Sequence, residues 1–147
     1  MNKKGFTLIE LLAVVIVLGV LVVMAIPKYF RAVERSRASG AVSVLGALAR
    51  SQVRFKMETN HFTDDVSKLD IAIRDVSHND ANASGDTFED QFFTFTVTDN
   101  EANPITTATR KSAIGVDAYS LIVNYDDGKI VCEPEESYIC KYLGLKN

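Results

Sequence analysis

Residues Leu11–Ile26 read LLAVVIVLGVLVVMAI, without one polar side chain, and no charge stands between Glu10 and Lys28. Helical from Phe6 to Ile26, at a rise of ~1.5 Å per residue, the segment would reach ~31 Å. The hydrocarbon core of a bilayer is ~30 Å thick. Glu10 is therefore out of place at the mouth of the run. An ionisable group in hydrocarbon costs at least about 2.5 kcal/mol, and such residues usually serve a function. Either the run is not surrounded by lipid, or Glu10 has a partner there.

The overall composition, 47% hydrophobic and 24% charged, is that of an ordinary globular protein only because the N-terminal excess is averaged away. The chain of 147 residues fits one domain plus an appendage. The part beyond the long N-terminal region can bury only a modest core, so a covalent staple would help it. A net charge of −3, evenly scattered, argues against a binder of nucleic acid or anionic surfaces. Lys3 and Lys4 ahead of an apolar stretch look like the start of a secretory signal, yet MAIPKYF offers no small-residue cleavage site. The segment is expected to be retained from Phe6 onward; a signal anchor cut elsewhere and a buried soluble helix are the alternatives.

Pro27 is expected to kink or interrupt the helix, and Gly19 is a second weak point. Beyond it, Ala38, Val42, Leu45, Ala49 and Val53 recur at helical spacing, with Ser36, Ser39, Ser43, Arg50 and Arg54 opposite. One long helix, apolar all round and then amphipathic, is expected over about residues 6–57. Residues 58–90 read as a polar loop region carrying one turn of helix within Val66–Val76 (VSKLDIAIRDV). Alternation at Phe93, Phe95 and Val97 and again at Tyr119, Leu121, Val123 and Tyr125 predicts strands. Asn100–Asn103 and Asp126-Asp127-Gly128 supply turns, with Ile105–Thr109 and Lys129–Cys132 returning. The result is about four short antiparallel strands, whose apolar face the amphipathic half-helix can cover.

The stretch KKGFTLIELLAVVIVLGVLVVMAIPKY resembles the N-terminal signature of type IV pilins and of the related pseudopilins of type II secretion systems. It has a short basic leader ending in Gly5, the aromatic Phe6, T-L-I-E, the apolar run and a proline at its end. The likeness is close over about the first 55 residues and architectural beyond. It implies an α+β pilin fold: a leader at 1–5, an apolar helix half at 6–30, an amphipathic half at 31–57, and a globular head at 58–147. The head would comprise an αβ-loop region (58–90), a sheet (91–132) and a disulfide loop with the C-terminus (132–147).

The resemblance further implies that a membrane-embedded prepilin peptidase cuts between Gly5 and Phe6 and methylates the new amine of Phe6. Glycine suits the cut, since a missing side chain lets the backbone enter a protease cleft. The amine so created lies about one helical turn from Glu10. In the family's filaments the partner of this acid is taken to be the amine of a neighbouring subunit. Glu10 would then fix the axial register of docking, while the apolar side chains supply the burial. The implied partners are identical subunits, the peptidase/methyltransferase, an inner-membrane assembly platform, minor pilins and, for the monomer, the membrane. The implied location is the bacterial inner membrane with the head outside, and later an extracellular pilus. Lys28, Arg31, Arg35 and Arg37 after the span, against Lys3 and Lys4 before it, oppose that topology by a positive-inside count.

Cys132 and Cys140 close a short loop that looks like the family's C-terminal disulfide loop. In an oxidising compartment the bond would contribute roughly 2.5 kcal/mol by loop-closure entropy. It serves either as a staple on a small sheet, the favoured reading, or as an exposed adhesive loop. Asp64-Asp65 and Asp126-Asp127-Gly128 lack the spacing of a calcium loop and read as turns. Asn82-Ala83-Ser84 is a weak glycosylation sequon, and His61 and His78 read as surface residues. Neither a nucleophile in a recognisable setting nor a metal cluster nor a phosphate loop is evident, so no enzyme, cofactor or metal is expected, and DNA binding is unsupported. Three functions remain open: a type IV pilin, a pseudopilin or minor pilin, and a membrane-anchored binding domain that does not polymerise.

Overall fold

The computed structural model describes residues 6–72, 85–99, 102, 104–113 and 116–145. Helix α1 (Leu8–Thr59, 52 residues) belongs to two compact units, Met1–Glu34 and Arg35–Asn147. It passes Gly19 and Pro27 without a break, so the single long helix expected over about residues 6–57 is present, and of the kink or interruption expected at Pro27 the interruption does not occur. Proline removes one donor, leaving the Val23 carbonyl without its usual partner, and the remaining hydrogen bonds carry the helix through.

The second unit is α+β. Its sheet has five antiparallel strands in the order of the chain: β1 (Thr87–Glu89), β2 (Phe93–Val97), β3 (Ile105–Arg110), β4 (Ser120–Asn124) and β5 (Ile130–Glu133). β2 and β4 lie where alternation places them, and β3 and β5 where strands returning from the turns were expected. β1 corrects the reading of residues 58–90 as loop, and three residues hold too little alternation to announce a strand. It is held instead by tertiary pairing: Phe88 lies opposite Phe95, their rings stacked at 4.7 Å. Only Val66–Lys68 forms a helical turn, a 3₁₀ turn capped by Asp65; residues 73–76 of the expected amphipathic piece lie outside the described residues. So does the turn at 100–103, apart from Ala102.

Register explains the core. Phe88, Phe95, Ala108, Leu121 and Cys132 pair successively across all five strands, and all five are buried. The α1 residues buried with them are Ala38, Ala41, Leu45, Leu48, Ala49 and Gln52, three- and four-residue steps along one face. Val42 and Val53, expected at the centre of that face, are only half-buried at its margin. Polar Gln52 hides the true stripe in the sequence. Its amide imitates a strand: Nε2 donates to Thr63 O (2.5 Å) and Oε1 accepts from Thr63 N (3.2 Å). The chain leaving α1 is thereby tied back to the helix with both buried groups satisfied.

A second tie lies beside it, made by the buried Ser51 and the exposed Arg54. Asp70 accepts from Ser51 Oγ and, through both oxygens, from the Arg54 guanidinium. The hydrogen bond from Arg54 and then that from Ser51 hold the Asp70 carboxyl down at about 2. Burial pushes the Tyr125 hydroxyl up to about 12, where it bonds Thr106 Oγ1 and donates to Ile105 O.

Gln52→Ala should lower the stability of the second unit by about 1–3 kcal/mol, because Thr63 would keep two buried, unpaired backbone groups. Chemical denaturation of the full chain in detergent measures it; a loss no larger than that of an exposed Lys129→Ala change would contradict the tie. Asp70 binds its proton more weakly folded than unfolded, so its contribution is complete above about pH 4 and is lost as pH falls toward about 2. Thermal melts across that range should show a shallower acid-side decline in Asp70→Asn than in the parent chain.

Candidate functional site

The first turn of α1 is built by T-L-I-E. Thr7 Oγ1 accepts from Glu10 N (3.4 Å), and Glu10 Oε2 accepts from Thr7 N (2.9 Å) and from Thr7 Oγ1 (2.7 Å). This reciprocal arrangement is a capping box, with threonine at the N-cap and glutamate at the third helical position. It satisfies two donors that a helix start otherwise leaves open, and it places a carboxylate at the positive end of the helix dipole. The sequence reading paired Glu10 with the amine of Phe6, of its own helix or of a neighbouring subunit, and missed this role, although the S/T-x-x-E spacing is visible in Thr7-Leu8-Ile9-Glu10.

From Leu8 to Ile26 every residue is exposed. Phe6 is 78% exposed, Leu8 88% and Met24 68%, so the segment lacks the buried stripe of a soluble core helix. α1 is long and apolar enough to cross a membrane by length and composition. Phe6, Glu10, Gly19 and Pro27 all belong to this first unit, whereas Gly5 lies outside the described residues. A Cβ built on Gly19 would meet no atom within 4 Å, as expected of a glycine on an unpartnered surface.

The other sequence candidates belong to the second unit. Cys132 and Cys140 form a disulfide with Cα atoms 5.3 Å apart, and both are buried in the core. The bond ties β5 to α2 (Tyr138–Leu143), a short helix that closes at Gly144 in the left-handed region (φ 68°). Sequence reading left α2 inside the disulfide loop, although Ser137 ahead of YICKYL and glycine behind it are start and stop signals. Buried and structured in this way, the bridge is a staple.

The aspartate pairs do turn chemistry. Asp65 Oδ1 accepts from Ser67 N, Ser67 Oγ and Gly85 N. The bonds from Ser67 and Gly85, with the charge of Lys68, hold its carboxyl below the usual range. Asp127 accepts from Lys129 N beside Gly128 (φ 66°), and Asp126 lies 3.7 Å from Lys56. His61 is exposed and packs edge-on against Phe55 at 5.7 Å. Asn82 and His78 lie outside the described residues. Among the described residues, no group of three or more His, Cys, Asp or Glu could hold a metal ion.

The family model for the prokaryotic N-terminal methylation motif matches residues 1–26. The chain carries that motif. The motif contains the capping box and the exposed apolar run up to Ile26, so the matched segment is also the segment with the unusual exposure. The chain is 38% identical over 71 residues, 48% of its own length, to the type IV major pilin protein PilA of Myxococcus xanthus. It is 44% identical over 57 residues, 39% of its length, to a type IV major fimbrial protein FimA of Dichelobacter nodosus. It is 48% identical over 46 residues, 31% of its length, to a fimbrial protein of Pseudomonas aeruginosa. The matched stretches span about a third of those relatives: 32%, 33% and 30% in turn. No solved structure matches the chain significantly.

Thr7→Ala should cost the helix start about 1 kcal/mol, equivalent to about fivefold faster amide exchange at Glu10. Hydrogen exchange of the full chain in detergent micelles reads it. Thr7→Ser should keep the parent rate, and an unchanged rate in Thr7→Ala would remove the capping box.

Proposed function

We propose that the chain is a structural subunit of a type IV pilus, and that its apolar N-terminal helix anchors the monomer in the inner membrane and forms the core of the filament. The observation that carries this reading is the exposed, uncharged surface of α1 from Leu11 to Ile26, directly behind a capped T-L-I-E start in a matched methylation motif. An all-round apolar helix needs an apolar surrounding on every side. A bilayer supplies one for the monomer, and other copies of the helix supply one in a filament. In this reading the leader Met1–Gly5 is removed by a prepilin peptidase, Phe6 is methylated by the same enzyme, and the head lies outside the cytoplasm. Inner-membrane assembly machinery and minor pilins are the remaining partners.

Glu10 sets the register. Capped by Thr7 it is tolerated at the helix start, and it still has acceptor capacity for a cation, since an ionised carboxylate offers about four lone-pair sites. The amine at Phe6 of a neighbouring subunit is that cation. A docking in which it misses Glu10 leaves a buried charge without a partner, at a cost of about 3–5 kcal/mol. The major-pilin and fimbrial names of the relatives favour the pilus over a secretion pseudopilin.

Glu10→Ala should leave membrane insertion intact and lower the yield of sheared filaments by tenfold or more. Mass spectrometry of the sheared fraction should find the parent chain beginning at N-methylated Phe6 with Cys132 and Cys140 bridged. A retained Met1–Gly5 leader, or parent-level filaments from Glu10→Ala, would defeat the respective parts of the proposal.

A further inference from the structure

Lys28, Tyr29, Phe30 and Arg31 are consecutive on α1, directly behind the apolar run and Pro27. At ~100° per residue the four of them encircle the helix in one turn. All four are exposed; Tyr29 is 67% and Phe30 66% accessible, and their rings meet edge-on at 6.1 Å. Lys28 and Arg31 stand three residues apart and so are neighbours on one side of the collar, with Tyr29 and Phe30 around the rest. They are the first charges after Glu10, and no acid stands between Glu10 and Glu34. Arg31 also holds an interaction within the chain, which a guanidinium with five donors can combine with others.

We propose that this collar binds anionic phospholipid headgroups at the membrane face from which the head emerges, and so retains the unassembled monomer at a fixed depth. The geometry favours a lipid surface over a protein partner. A neighbouring protein would need a patch on one side of the helix, whereas a bilayer interface surrounds it at one depth, and the collar likewise goes all the way round. The chemistry agrees. Aromatic rings with one polar end sit at the headgroup level, and each Lys or Arg near an anionic surface is attracted by about 1 kcal/mol. The collar also lies ~30 Å from the helix start, one hydrocarbon thickness away. The proposal gives a reason for the basic cluster on the side that a positive-inside count disfavours. It rests on the membrane-anchoring part of the function proposed above, not on polymerisation.

The full chain reconstituted in phosphatidylcholine bilayers, probed with spin-labelled phosphatidylglycerol and phosphatidylcholine, provides the test. The expected result is a preference of about fivefold or more for phosphatidylglycerol in the lipid shell at low salt. It should fall toward unity in Lys28→Gln/Arg31→Gln and at high salt, and remain in Lys129→Gln. Absence of a preference in the parent chain would overturn the proposal. A preference unchanged in the double variant would overturn it too, as would an equal loss in Lys129→Gln. If the double variant keeps the lipid preference and loses filaments, the collar serves a contact between subunits instead. A retained leader, by contrast, would defeat the pilin reading; its Lys3 and Lys4 would add a preference of their own, and the collar would still be read from the difference between the parent chain and Lys28→Gln/Arg31→Gln.

Discussion

Backbone groups in an apolar medium have no water to fall back on, so in the proposed membrane or filament setting the first half of α1 must satisfy its hydrogen bonds within itself. Everything else about the N-terminal unit is subordinate to that. A helix meets the requirement along its length but leaves open groups at its ends. At the start the capping box closes two of them. At Pro27 one donor is missing, and the loss falls where the sequence turns from apolar to basic, near water if the apolar run is in lipid. The places at which the ladder is weakest are the places at which the medium changes.

In the second unit the same helix solves a different problem. Beyond Arg35 one face is buried, with Ala38, Ala41, Leu45 and Leu48 at its centre, and the sheet offers a row of side chains from Phe88 to Cys132 on its inner side. A core this small relies on polar ties to satisfy most of its buried groups, the Ser137 hydroxyl being an exception. Gln52 closes on Thr63, Asp70 on Ser51 and Arg54, and Tyr125 on Thr106. The disulfide adds a covalent link from the edge strand β5 to α2.

Periodicity carried most of the fold in the sequence, and its failures share a cause. Strands β2 and β4 and the helix were legible because each repeats its pattern often enough to be distinguished from chance, and β3 and β5 because turn residues announce a returning strand. β1 was not, since Thr87-Phe88-Glu89 becomes a strand only through the ring of Phe95 and the pairing beside it. The buried face of α1 was right at Ala38, Leu45 and Ala49 but included Val53 in place of Gln52, which looks like a surface residue until Thr63 is placed against it. α2 and the capping box are a different case: Ser137, Gly144 and Thr7-x-x-Glu10 are local signals that the reading passed over. The pairing of Glu10 with a second subunit is legible only through resemblance, because a register between chains leaves no trace in one chain's spacing.

The capping box changes what the acid at the mouth of the apolar run means. A bare carboxylate there would be strongly disfavoured and would demand a cation at once. With one oxygen held by the amide and hydroxyl of Thr7, the acid is partly compensated before any partner arrives. In the proposed pilus the monomer would then wait in the membrane without losing its helix start, and docking would add a counter-charge to a group already in position. Preorganisation of this kind lowers the ordering cost of binding, and it makes threonine as much a part of the device as glutamate. The acid would thus serve the isolated helix and the assembled one by the same geometry, with Thr7 as its partner in the first and both Thr7 and an amine in the second.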